Sequence, residues 1–229
     1  MEKLKAMLIQ LNELTAFYSS FNADTYKEII RAPENYDPRT TDKAACYHPI
    51  RDQAHCGSCW AFACSEVLSD RYCLNKQIDV VLSPQDLVSC DNIVNNGCDG
   101  GSPFASWEYT ALSGIVSDEC YPYVSGNGTT GKCSIKSKKC VNEAIPFTKY
   151  KSTQPNLLSD KAKIKDALLG GPVEATMKVY DDFPHYAGGI YVKTSNTFLG
   201  GHAVKMIGYG VDVKTSISFW IVANSWTQA

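Results

Sequence analysis

Ten cysteines fall within 229 residues, and no other property restricts the fold of this chain as strongly. A reducing compartment rarely leaves so many thiols in one protein, whereas an oxidising one converts them to cross-links. The chain is therefore expected in a lysosome, in a vacuole or outside the cell. Its length does not demand staples, because a chain of this size can bury one sizeable core or two closely packed halves. Some cysteines are thus free to do chemistry rather than hold the fold.

The tightest pair lies in Gln53-Ala54-His55-Cys56-Gly57-Ser58-Cys59-Trp60-Ala61-Phe62. A Cys-x-x-Cys spacing suits a redox pair, half of a zinc site, or one structural thiol beside one reactive thiol. A redox pair of the thioredoxin type would follow the first strand of a βαβ unit, but residues 38–52 are polar and turn-rich. A zinc site needs a second ligand pair at matching spacing, and the later cysteines and the four histidines do not supply it. No metal is expected. The third reading makes Cys59 a nucleophile. From Trp60 a helical stripe runs through Ala63, Cys64, Val67, Leu68, Arg71 and Tyr72, so Cys59 sits near a helix N-terminus, where a thiolate is stabilised. Its partner imidazole must be one of His48, His55, His185 and His202. The first three read as loop residues; His202 opens a β-rich stretch after Gly200 and Gly201, which leave backbone room beside the ring. Redox use of Cys56 and Cys59 stays open as a lesser alternative.

Elsewhere the pattern divides the chain. Leu4, Met7, Leu8, Leu11, Leu14, Tyr18 and Phe21 predict an amphipathic helix. Gln10, Asn12 and Glu13 interrupt the unbroken apolar run of a signal peptide, which is expected upstream instead. Residues 32–41 read as an extended linker. Helices are predicted over 82–88, with Ser83 as cap and Pro84 in the first position, over 104–112, and over 161–169, where Gly170-Gly171-Pro172 stops the last. Between them, residues 95–139 are rich in Gly, Ser, Asn and Cys and read as loops held by disulfides. After Pro172 the segments 173–179, 189–192, 202–209 and 219–223 are β-rich. The fold class is α+β, with a helical, stapled first half and a β-rich second half. No run of 18 apolar residues exists to span a membrane, and a formal charge of −2 gives no basic excess for nucleic acid.

Four motifs in order, residues 53–62, Gly97-Cys98-Asp99-Gly100-Gly101, Gly200-Gly201-His202-Ala203 and Ala223-Asn224-Ser225-Trp226, together resemble the papain family of cysteine peptidases. The order and spacing fit as well, with His202 143 residues after Cys59 and Asn224 a further 22 on. Ile50-Arg51-Asp52-Gln53, Leu68-Ser69-Asp70-Arg71-Tyr72-Cys73, Gly171-Pro172-Val173-Glu174 and Tyr180-Asp181-Asp182-Phe183 resemble the cathepsin B branch in particular.

The resemblance implies a papain-like two-subdomain fold, a helical left subdomain and a β-barrel-like right subdomain with the active-site cleft between them. Residues 1–33 would be a propeptide remnant and residues 34–229 the peptidase domain. Within that domain, 46–145 would form the helical subdomain and 146–229, with 34–45, the β-rich one. Cys59 would be the nucleophile of an endopeptidase that works through a thioester, and His202 the acid and base. Asn224 would orient the imidazole under the shield of Trp226, and Gln53 would complete the oxyanion hole with the backbone N–H of Cys59. Gly100, Gly101 and Gly201, with Trp226, would line the substrate site. The implied disulfides are Cys46 with Cys73, Cys56 with Cys98, Cys90 with Cys133 and Cys120 with Cys140, leaving Cys64 as a buried free thiol. The implied partners are peptide or protein substrates and cystatin-type or epoxide inhibitors. The protein would be a monomer that needs no cofactor. Asn127-Gly128-Thr129 is a glycosylation sequon, which agrees with secretion.

Two departures qualify the resemblance. Cathepsin B owes its carboxydipeptidase activity to an occluding loop with paired histidines, and residues 102–139 are short and contain no histidine. The expectation is an endopeptidase with an open primed side. The chain also stops three residues after Trp226, where family members continue through closing strands and the floor of the S2 pocket. A truncated C-terminus is therefore expected, and with it an alternative reading as an inert papain-fold binding protein or dead fragment.

Overall fold

Cys59–Lys76 forms helix α1 of the computed structural model, which describes residues 16–19, 32–135 and 137–227. Its 18 residues contain no Gly or Pro and only one β-branched side chain, so nothing local opposes the helix. Gln77 ends it in the left-handed region, where its N–H donates to the carbonyls of Tyr72 and Cys73. Every residue from Cys59 to Arg71 is buried. A helix covered on all sides lies in the middle of a fold, which is why its stripe in the sequence is blurred rather than one-sided.

Three shorter helices form over the expected segments, the first on its expected Ser83 and Pro84 signal. In α2 (Pro84–Cys90) the Ser83 hydroxyl accepts from the Asp86 N–H, and in α3 (Pro103–Leu112) Ser102 accepts from Ala105. Asp160 caps α4 (Lys161–Leu169) by accepting from Ala162 and Lys163. The sheet is antiparallel, with strand order β2-β1-β3-β4-β5. Its strands are β1 (Ala16–Ser19), β2 (Pro155–Leu158), β3 (Val173–Tyr180), β4 (Phe198–Val211) and β5 (Ser218–Ala223).

Two expectations need correction. The amphipathic helix expected between Leu4 and Phe21 lies outside the described residues except at Ala16–Ser19, and those four form a strand between β2 and β3. Segment 189–192 is not a strand either. Asp182 accepts from the Tyr191 hydroxyl at 2.8 Å, from the Thr194 N–H at 2.6 Å and from its hydroxyl at 2.8 Å, so a side chain closes this loop in place of a ladder. Strand β2 was not anticipated.

Cys46 is bonded to Cys73, Cys56 to Cys98, Cys90 to Cys133 and Cys120 to Cys140, the four pairs that the resemblance implied. Cys59 and Cys64 are free and buried. One core surrounds α1 and holds Trp60, Leu68, Leu82, Trp107 and Ile115 together with Ala203 of β4. A second lies between the sheet and α4, around Leu168, Val173, Val204, Met206 and Tyr209. Ala203 belongs to the first core and Val204 to the second, so β4 has one face toward each. Across this seam Arg71 donates from α1 to the carbonyls of Pro172, Gly171 and Ala167.

The linker 32–41 is tied to the β half. Tyr36 and Tyr209 exchange both backbone hydrogen bonds, at 2.8 and 2.9 Å. Gly208 is required there, because a Cβ would run into the Tyr36 carbonyl.

Candidate active site

The seam between α1 and β4 brings the first residue of the helix to the strand that carries His202. Cys59 opens the helix, where N–H groups carry no partner of their own, and it packs in one core with Ala203, one residue beyond His202. The sheet sets the third residue. Lys205 of β4 pairs in register with Ala223 of β5, so the chain leaves β5 at Asn224 close to the imidazole. His202 Nε2 and Asn224 Oδ1 are 2.7 Å apart. An amide oxygen only accepts, so this bond places the proton on Nε2 and leaves Nδ1 as the basic nitrogen. The Trp226 ring lies 4.7 Å from the His202 ring, tilted by 35°.

Gln53 is fully buried. Its Nε2 donates to the Cys56 carbonyl at 2.9 Å and its Oε1 accepts from the Ser225 hydroxyl at 2.6 Å. Its backbone N–H donates to the Ser225 carbonyl, and its own carbonyl accepts from the Tyr123 hydroxyl at 2.8 Å. The side-chain amide is thus fixed in orientation, with one N–H left over. Ser225 and Tyr123 were missed by sequence reasoning, for they lie 172 and 70 residues from their partner. Ser225 stands inside a motif already singled out; a hydroxyl next to the orienting Asn224 was the available signal.

Gly101 packs where a Cβ would stand 2.7 Å from the Trp60 ring and 2.6 Å from Asn95 Oδ1. Gly100 has φ of 111°, which other residues rarely adopt. Gly201 is buried in the β3 to β4 ladder opposite Lys178. Of the other histidines, His48 bridges Asp70 and Asp79, His55 is exposed, and His185 lies in a 3-10 turn at 183–185.

Cys59, His202 and Gln53 have no solvent exposure. Burial pushes the Cys59 thiol up to about 12, opposed by the Ala203 N–H and by the amides of Trp60 and Cys59; the nearby Glu174 adds to the rise. Glu174 is itself driven well above the carboxylate range by burial and accepts from Trp107 Nε1 at 2.7 Å. The covered thiol is therefore neutral.

Comparisons with known proteins point one way. The sequence model for papain family cysteine proteases matches residues 32–229. The chain is 37% identical to cathepsin B-like cysteine proteinase 6 of Caenorhabditis elegans, over 85% of this chain and 59% of that protein. It is 33% identical to cathepsin B of Dictyostelium discoideum, over 87% of this chain and 68% of that one. The chain thus spans between 59% and 68% of the length of these curated relatives. Among solved structures, procathepsin B S9 of Trypanosoma congolense superimposes with a TM-score of 0.83 at 29% identity, covering 98% of this chain and 77% of that one. The recombinant stem bromelain precursor superimposes with a TM-score of 0.68 at 25% identity, over 96% and 66%. The architecture is the papain-like α+β fold.

Proposed function

This chain belongs to the papain family of cysteine proteases, and we propose that it hydrolyses internal peptide bonds with Cys59 as nucleophile. The observation that carries this reading is the 2.7 Å bond from His202 Nε2 to Asn224, on the strand whose next residue, Ala203, packs in one core with Cys59. In the reaction the thiol proton passes to His202 Nδ1 and the thiolate attacks the scissile carbonyl. The oxyanion forms against Gln53 Nε2 and the Cys59 N–H. His202 then protonates the departing amine, leaving a thioester on Cys59, and afterwards activates the water that hydrolyses it. Gly100, Gly101 and Gly201 would let an extended substrate backbone lie close to the cleft.

The endopeptidase reading rests on residues 102–139, which hold no histidine to capture a terminal carboxylate. They are drawn in by the Cys90 to Cys133 and Cys120 to Cys140 bonds. Residues 1–33 act as a propeptide in this proposal. A buried nucleophile cannot meet a substrate, so the resting state must be opened, and the similar solved structures are described as a procathepsin and a precursor. The four disulfides and the exposed sequon at Asn127 support passage through an oxidising compartment, ending in a lysosome, a vacuole or secretion.

The buried, neutral Cys59 favours one second reading, an inert papain-fold binding protein. The redox reading has lost its partner thiol, since Cys56 is bonded to Cys98. An epoxide inhibitor of papain-like peptidases, applied before and after acid treatment, separates the first two. Stoichiometric label on Cys59 after acid, with cleavage of a C-terminally amidated, internally quenched peptide, is expected. Folded protein that takes no label at any pH is the inert one.

Ser225 supplies a finer test, because its hydroxyl holds the Gln53 amide and touches nothing that reacts. Loss of an oxyanion donor costs about 100-fold to 1,000-fold in kcat. Ser225→Ala, which only frees that donor to rotate, is expected to lower kcat about ten-fold and to leave KM nearly unchanged.

A further inference from the structure

Behind the candidate catalytic pair, the α1 to β4 seam holds a row of charged groups that the chemistry above does not use. Asp70, fully buried on α1, accepts from the His48 N–H at 3.0 Å and from His48 Nδ1 at 2.7 Å through Oδ1, and from Lys205 Nζ at 2.8 Å through Oδ2. Lys205, on β4, is 2% exposed and also donates to the His48 carbonyl at 3.3 Å. His48 Nε2 continues the row to the exposed Asp79 at 2.9 Å. Beside it stands Glu66, 4% exposed, with Oε2 3.9 Å from Lys205 Nζ and no hydrogen-bond partner for Oε1 among the described residues.

The row shares its scaffold with the reacting groups. Glu66 and Asp70 follow Cys59 by two and three turns of one helix, about 10 and 16 Å along its axis, and Lys205 follows His202 by three residues on one strand. Asp70 and Glu66 thus meet Lys205 across the same seam of α1 and β4 that carries Cys59 and His202. We propose that the chain Asp79, His48, Asp70, Lys205, with Glu66 beside it, clamps α1 to β4 and sets the upper pH at which Cys59 and His202 remain opposed.

Two of its members change charge together. The bonds from Asp70 and Asp79 raise the His48 pKa, so His48 holds its proton longer in the fold than in the unfolded chain. Its stabilisation is complete below the unfolded value and fades as pH rises through the folded one. Burial raises Glu66 to about 7, against the pull of Lys205, Arg51 and His48 and with a further push from Asp70. An unfolded Glu66 ionises near its ordinary 4.5, so the fold loses relative stability between there and about 7. Tyr47 also faces Asp70 and keeps its proton over this range. On neutralisation the seam therefore loses a positive charge at His48 and gains a negative one at Glu66. Asp70 and Glu66 are then left to share Lys205.

The clamp rests on the peptidase reading only for its consequence, so its test begins with a quantity independent of activity. The thermal midpoint and the rate of Cys59 labelling by the epoxide are measured from pH 4.5 to 8 on the full acid-treated chain and on Glu66→Gln, which cannot ionise. The parent's midpoint is expected to fall from about pH 5 upward, and its labelling rate to fall as pH rises through about 7, where the folded Glu66 ionises. Glu66→Gln should match it at pH 5 and label about ten-fold faster at pH 7.5, with a flatter midpoint profile. Lys205→Arg, which keeps the charge, should retain the parent profile. Identical midpoint profiles for parent and Glu66→Gln would overturn the clamp. A flattened midpoint with an unchanged fall in labelling would overturn its role in positioning Cys59. If neither protein labels at any pH while the midpoint profiles differ as stated, the clamp stands and the peptidase reading fails.

Discussion

Replacing Cys59 by alanine is expected to lower kcat/KM toward a peptide substrate by about 10⁵-fold while leaving the fold intact. In hydrolases that rely on a nucleophile and a histidine acting as one unit, removal of either member costs on the order of 10⁶ in kcat, and removal of both costs little more. His202→Ala should therefore match Cys59→Ala within about ten-fold, and the double variant should fall no further. Stability should barely move, because Cys59 makes no disulfide and its sulfur fills a space only slightly larger than a methyl group. The measurement is steady-state hydrolysis of a quenched peptide with thermal unfolding as control. Hydrolysis that survives in a folded Cys59→Ala variant would have to come from another protein in the preparation. A reading without catalysis predicts no difference between the variant and its parent.

The proposed pair could be picked out in the chain because each member sits in a local pattern: a helix start after Gly57-Ser58, and a strand start after Gly200-Gly201. The helix over 84–90 was readable from its Ser83 cap and Pro84, and that over 161–169 from the Gly170-Gly171-Pro172 stop; the caps Ser102 and Asp160 appear only in the fold. What escaped depends on distance along the chain. Strand β1 has no meaning without β2 and β3, more than 130 residues away, and a three-to-four residue period over the same stretch pointed to a helix. Segment 189–192 has the β-branched and aromatic composition of a strand, yet Asp182 gathers three donors and forms a loop. Ser225 and Tyr123 hold Gln53 by bonds between segments whose proximity only the folded sheet creates. Lys205 is the clearest case. In the sequence it merely interrupts an apolar strand, whereas in the fold it is buried against Asp70 of α1.

That burial makes Asp70 the site of the largest expected loss of stability. Replacing it by alanine would strand Lys205 in the seam with only Glu66 at 3.9 Å and the His48 carbonyl at 3.3 Å, and would leave His48 with Asp79 alone. Removing one partner of a buried ion pair destabilises by about 3–5 kcal/mol, because the remaining charge keeps its desolvation cost and loses its compensation. For a chain of this size that corresponds to a fall of about 10 °C in the thermal midpoint. Asp70→Asn retains an acceptor for the His48 N–H and should lose less. The decisive variant is the double replacement Asp70→Ala with Lys205→Met, which removes the stranded charge and fills its space with an apolar chain of similar length. If the cost of Asp70→Ala is a stranded cation, the double variant should recover more than half of the midpoint lost by the single one at pH 5. If the two losses simply add, Asp70 acts through its bonds to His48, and the seam is held from the loop at 47–50 rather than from β4.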